Sequence, residues 1–262
     1  MAACGLVAAG CGRASTARSH STTTVPGWGS SVVPHGAPSS PAVTSASPAP
    51  VGLPSAGALV AKAMANALAS GWAHIDVTTT SGASTVEVSD DVGLTSGRQV
   101  VTANGARAEA LLVDGVAYAR GDATSVSSYF GVPAPEAALI AGQWASFTQH
   151  DQGYPEVASR LALSSVLTED ALTGPYRLGA PTVVDGQRVV PVSGIISEVG
   201  RGPIGLGTLY ITPGSGTLPV ELDTATSAGT KTEVRYSRWG AAVVLTAPSG
   251  ATPAASLVPD PG

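Results

Sequence analysis

Seven prolines stand between Pro26 and Pro54, and no acidic residue occurs before Asp76. These two facts divide the chain before any element is placed. Proline blocks both helix interiors and central strands. Residues 12–54 hold only Arg13 and Arg18 as formal charges, with His20 and His35 and a lone Trp28. Such a segment cannot bury enough apolar surface to offset its ordering entropy. It is expected to be a disordered Ser/Thr/Pro-rich tether. Residues 55–248 remain as one domain of ordinary size, followed by a disordered tail over 249–262.

Across the chain, 44% hydrophobic but only 12% charged residues, with 32 Gly, argue for strands and turns over a helical bundle. The net charge of -5, without a basic stripe, excludes nucleic acid as a partner. Both cysteines, Cys4 and Cys11, precede the tether, so the domain holds no disulfide, thiol nucleophile or cysteine-ligated metal. No run of 18 apolar residues is present to span a membrane.

Small or apolar residues from Leu6 to Gly10 precede Cys11 and Gly12, which resembles a bacterial lipobox. Ala8 stands where that pattern most often has Leu. The expectation is that Cys11 is acylated and anchors the protein to the outer face of the cell membrane. A positively charged n-region and a full apolar segment do not precede it, so translation is expected to start upstream.

Ser55 is placed to cap a helix over Ala56–Ala69, with an apolar stripe of Leu59, Val60, Ala63, Met64, Ala67 and Leu68. Alternation follows from Trp72 to Thr79, with Ala73, Ile75 and Val77 on one face. Short strands are expected at 85–88 and 99–102, with Asp90-Asp91 as a turn. Asp114-Gly115 joins hairpin strands 107–113 and 116–120, and Asp185-Gly186 joins 182–184 and 187–192. A third hairpin links 207–212 to 218–223, and strands 232–237 and 242–246 close the sheet. Pro191 and Pro219 belong at edge or bulge positions. Helices are expected at Thr124–Phe130, capped by Asp122, at Tyr154–Leu163, and briefly at Leu167–Leu172. The order predicts an α+β, mostly β fold: one curved antiparallel sheet around a few helices.

Catalytic patterns are not evident. His74 and Asp76 share a strand face, but read more simply as the solvated side of an edge strand. No G-x-S-x-G elbow occurs. The glycine-rich stretch Gly200–Gly207 lacks the context of a phosphate loop and reads as a connection between strands. Arg120-Gly121-Asp122 is a strand end followed by a helix cap. No catalytic residue, metal or cofactor is therefore assigned.

The segments VDGVAYARGDATSVSSYFG (113–131), GQWASF (142–147), LALSSVL (161–167), GTLPVELD (216–223) and YSRWGAAVVLTAPSGA (236–251) occur in that order. Together they resemble the actinobacterial LppX/LprA/LprF/LprG lipoproteins over about residues 56–250. The resemblance implies a LolA/LolB-like half-barrel enclosing an apolar cavity, and carriage of an acylated lipid or lipoglycan across the periplasm without catalysis. Independently, the 107–120 hairpin is apolar on both faces: Leu111, Val113, Val116 and Tyr118 on one, Ala108, Ala110, Leu112, Ala117 and Ala119 on the other. A one-sided sheet would be polar outside. Small residues on one face would leave room for a ligand while large ones pack the helices. The candidate cavity lining is Val77, Ala110, Leu111, Val113, Val116, Tyr118, Phe130 and Trp144. A filled core is the competing reading, and an accessory envelope lipoprotein acting by protein contact is the competing function. The sequence does not fix the oligomeric state.

Overall fold

The computed structural model describes residues 54–169, 171–198 and 202–257. Cys11, the 12–53 part of the tether and residues 258–262 lie outside them.

Helix α1, Ala56–Ser70, opens on Ser55, whose hydroxyl accepts from the Ala58 amide at 3.3 Å. It closes on Gly71 in the left-handed region. Four positions of its expected stripe, Leu59, Val60, Ala63 and Ala67, are buried, while Leu68 at the end is exposed. The sheet then builds by hairpins: β1 Trp72–Ser81, β2 Ser84–Gly93, β3 Gly97–Ala103, β4 Ala106–Val113 and β5 Val116–Arg120. Asp114-Gly115 turns with both φ positive, 51° and 75°, as a two-residue hairpin loop requires. Asn104-Gly105 does the same between β3 and β4, a signal of equal strength that the sequence reading passed over.

A helical stretch interrupts the sheet: α2 Ala123–Phe130, α3 Ala134–Ile140, α4 Tyr154–Ser159 and α5 Leu163–Glu169, with the short strand β6 Ala145–Phe147 between α3 and α4. Then come β7 Thr173–Leu178, β8 Thr182–Val184, β9 Gln187–Glu198, β10 Gly202–Ile211, β11 Pro219–Thr226, β12 Lys231–Ser237 and β13 Thr252–Pro253. The strand order is β13-β6-β5-β4-β3-β2-β1-β12-β11-β10-β9-β7, with β8 also on β9. Every pairing is antiparallel except β13 with β6. This is the open, curved, mostly antiparallel sheet that was expected.

Several local expectations are corrected. Asp90 and Asp91 do not form a turn; β2 runs through them, and alternation sends one carboxylate to each face. Strand β1 is central, between β2 and β12, so His74 is not on an edge. The Tyr154–Leu163 helix breaks at Arg160–Ala162, and the following helix starts at Leu163 rather than Leu167. There the chain bridges Ala162 to Gly93 and is drawn onto the sheet. From Gly202 the glycine-rich stretch is strand, not loop. Its small residues permit close strand approach, since a Cβ on Gly205 would lie 2.1 Å from the Ala225 carbonyl oxygen. Residues 242–246 form no strand, because β12 is already paired on both sides and offers no free ladder for a hairpin return. The described part of the expected tail is built in: Thr252 donates its amide to the Trp144 carbonyl at 2.9 Å, β13 pairs β6, and Ala254 is buried.

Both prolines sit where the ladder tolerates them. Pro219 opens β11 at a bulge, and Pro191 occupies the gap between the β8 and β7 pairings of β9.

Asp122 caps α2 as expected, its carboxylate accepting from the Ser125 hydroxyl at 2.6 Å and the Ser125 amide at 2.9 Å. These bonds, the hydroxyl one first, hold its carboxyl below the ordinary range. A lowered pKa contributes stability above the unfolded value and loses it as pH falls through the folded one. Asp122→Ala is therefore expected to cost about 1 kcal/mol at neutral pH, with the difference shrinking below about pH 4. Thermal melts of both proteins across pH 3–7 check this; a pH-independent difference would remove the charged cap as its cause.

Candidate functional site

The helices lie on one face of the sheet, called here the inner face, and its side chains divide into two apolar clusters. The first packs Val126, Phe130, Ile140 and Val157 from the helices over Ala108, Ala110, Leu112, Ala117 and Ala119 of β4 and β5. The second lies with α1 over β1 and β9–β12: Leu59, Ala63 and Ala67 with Ile75, Val192, Leu209, Leu222 and Val234. Half-buried Met64, Val77, Val166, Ile196 and Leu218 pack against this second cluster. Where strand β2 passes from one cluster to the other it carries buried Asp90, to which the Gln99 amide donates at 3.3 Å. A polar pair thus lies between the two apolar clusters.

The eight candidate lining residues do not form one wall. Val77, Ala110 and Phe130 are on the inner face, Val77 beside the α1 cluster and the other two inside the first cluster. Leu111 pairs with Tyr118 and Val113 with Val116 on the opposite, outer face. Trp144 precedes β6, with the Arg120 guanidinium 4.7 Å from its ring centroid. Small residues did not mark empty space: the alanines of β4 and β5 are the surface on which the helices settle. Arg120 also donates to Glu109 at 3.0 Å, and Arg98 donates to the same carboxylate at 2.8 Å, which lets Glu109 stay buried on the outer face.

An open trough of 1050 Å³, which no single segment of the sequence announces, crosses β1, β12, β11, β10, β9 and β7 on the outer face. Register explains it. Thr78, Glu233, Asp223, Thr208, Ser193 and Arg177 form one cross-strand row, and Lys231, Ala225, Leu206 and Ile195 form the next. Leu206 is 69% exposed. The carboxylates here are engaged: Asp223 accepts from the Tyr210 hydroxyl, and Glu233 binds Arg235. Burial, then the charge of Asp223, push the Tyr210 hydroxyl up. Burial, then Asp223 and Glu233, push Glu221 up against the opposing pull of Arg235. The hairpin signals that set the register of β10 on β11 were the only clue in the sequence.

His74 lies between two carboxylates, Nδ1 2.8 Å from Asp91 and Nε2 3.2 Å from Asp76. Both ring nitrogens are thus occupied, so the geometry fastens β1 to β2 rather than presenting a base to a hydroxyl. His150 is exposed in the turn before α4. No metal-binding group of three His, Cys, Asp or Glu residues occurs among the described residues.

No protein-family model matches the chain, and no curated protein does. Among solved structures it is similar to LprF from Mycobacterium bovis, with a TM-score of 0.50 and 18% identity over 76% of this chain and 99% of that one. It is also similar to the Mycobacterium tuberculosis lipoprotein LppX, with a TM-score of 0.46 and 15% identity over 72% and 99% of the two chains. The fold is therefore that of LprF, one of the lipoproteins that the sequence resembles.

Proposed function

We propose that this chain, built on the fold of LprF, is a non-catalytic envelope lipoprotein, anchored through Cys11, that binds and carries an acylated lipid or lipoglycan. The observation that supports this most directly is the apolar cluster beneath α1, taken in this proposal as the compartment for the acyl chain. It joins buried Leu59, Ala63, Ile75, Val192, Leu209 and Leu222 and is bordered by half-buried Met64, Val77 and Leu218, none of which carries a charge. Each methylene transferred there from water gains about 0.8 kcal/mol, so an acyl chain needs no charged contact to be held.

The test is mass spectrometry of organic extracts from protein purified out of its native envelope. Acyl lipid above the level of an unrelated purified lipoprotein is expected. Val77→Trp, narrowing the border of the compartment, is expected to lower that occupancy with little change in melting temperature. An empty wild-type protein sinks the carrier reading and leaves the accessory role. Expression in the native host with Cys11→Ala should release the protein from membranes; unchanged retention would remove the anchor.

A further inference from the structure

The outer trough has a polarity that the interior compartment lacks. One of its two rows is apolar over three consecutive strands: Ile195 of β9 is opposite Leu206 of β10, which is opposite Ala225 of β11. The apolar run gives way on β12 to Lys231, the register partner of Ala225, with Thr80 of β1 beyond it. Lys231 is exposed and carries no ion pair among the described residues, unlike Arg98, Arg120 and Arg235. At the other end Pro175 and Arg177 of β7 line the trough, Arg177 standing in the neighbouring row opposite Ser193. Three inter-strand steps of about 4.8 Å put the backbone of Lys231 roughly 14 Å from that of Ile195.

The acidic groups of the trough belong to the neighbouring row, about 7 Å along each strand. Both are partnered but keep their charge, Asp223 accepting from the Tyr210 hydroxyl and Glu233 binding Arg235, so an anionic headgroup is held off their row and toward Lys231. What the trough offers an incoming molecule is an apolar strip ending in a cation.

We propose that the outer trough is a second ligand site, which seats one anionic amphiphile with its acyl chain across Ile195, Leu206 and Ala225 and its headgroup on Lys231. The site goes beyond the interior compartment under α1 and does not depend on it, since the sheet stands between them. Leu206 supplies the apolar contact and Lys231, in the same row, the charge that seats the headgroup.

The test uses the full chain, a fluorescent probe, 11-(dansylamino)undecanoic acid, and its uncharged methyl ester. The acid is expected to bind the wild type saturably and more tightly than the ester. Leu206→Glu should weaken both by at least about tenfold, the loss expected for an apolar contact replaced by a charge. Lys231→Glu should weaken the acid by about fivefold, the scale of an exposed ion pair, and leave the ester nearly unchanged. Because both side chains are exposed, both variants should melt with the wild type. The interior variant Val77→Trp should bind the probe as the wild type does. Equal affinity of Leu206→Glu and wild type, no binding at all, or equal treatment of acid and ester overturns the proposal. Loss of probe in Val77→Trp alone would also overturn it while leaving the interior carrier reading standing. An empty interior with probe still lost in Leu206→Glu would do the reverse.

Discussion

Gly97→Val is expected to lower the melting temperature by 6 °C or more, the scale of about 3 kcal/mol in a domain this size. Gly97 starts β3 where the chain between α4 and α5 crosses the sheet. A Cβ there would stand 2.3 Å from the Leu161 carbonyl oxygen and 3.1 Å from its carbonyl carbon. Both neighbours are backbone, so no side chain can rotate out of the way. The crossing segment would have to lift, and with it the Ala162–Gly93 bridge and the fully buried Leu161 and Leu163 on either side. Overpacking usually costs about 1–3 kcal/mol, and more where the obstacle cannot adapt. Gly97→Ala should show most of the loss, because the first carbon makes the clash. Gly216→Ala is the control, with open space at its Cβ position and no positive φ. Thermal melts decide; a Gly97→Ala protein within about 1 °C of wild type would mean the crossing is loosely held.

That crossing also shows where the sequence was legible and where it was not. Ser55, Asp122 and the Asp-Gly pairs act through neighbours a few residues away, so α1, α2 and the hairpins could be read locally. The break at Arg160–Ala162 is imposed by a partner more than sixty residues earlier, and helical spacing runs straight through it. Asp90-Asp91 misled for a related reason. Adjacent carboxylates suggest a turn only while their partners are unseen, and here Gln99 and His74 hold them on opposite faces of one strand. The β12 neighbours β1 and β11 likewise denied residues 242–246 a strand that their composition would allow.

The candidate site was legible to the level of alternation. The two faces of the 107–120 hairpin were separated correctly, but composition could not say which face the helices take. Alanine carried the ambiguity: Ala108, Ala110, Ala117 and Ala119 suit an open floor and a close helix contact equally well. The outer trough depends on the joint register of six strands, which no single segment encodes.

Phe130→Ala separates those two readings of the alanine face. Phe130 is the last residue of α2, fully buried, with Gly131 closing the helix behind it through an amide donated to the Ser127 carbonyl at 3.2 Å. It shares its cluster with Ala110, Val126, Ile140 and Phe147. Removing a packed phenyl ring costs the transfer free energy of the ring and the cavity left behind, about 3–5 kcal/mol. The melting temperature should then fall by roughly 10 °C at a scale of 2–4 °C per kcal/mol. Phe130→Leu should recover more than half of the loss, because most of the volume returns. Were Phe130 instead the wall of an open lipid chamber, its truncation would enlarge that chamber at little cost. The melting temperature would barely move while lipid occupancy rose. Denaturation and lipid extraction on the same three proteins thus assign the face over β4 and β5: a steep loss of stability with unchanged cargo makes it packed core and confines any interior ligand to the compartment beneath α1.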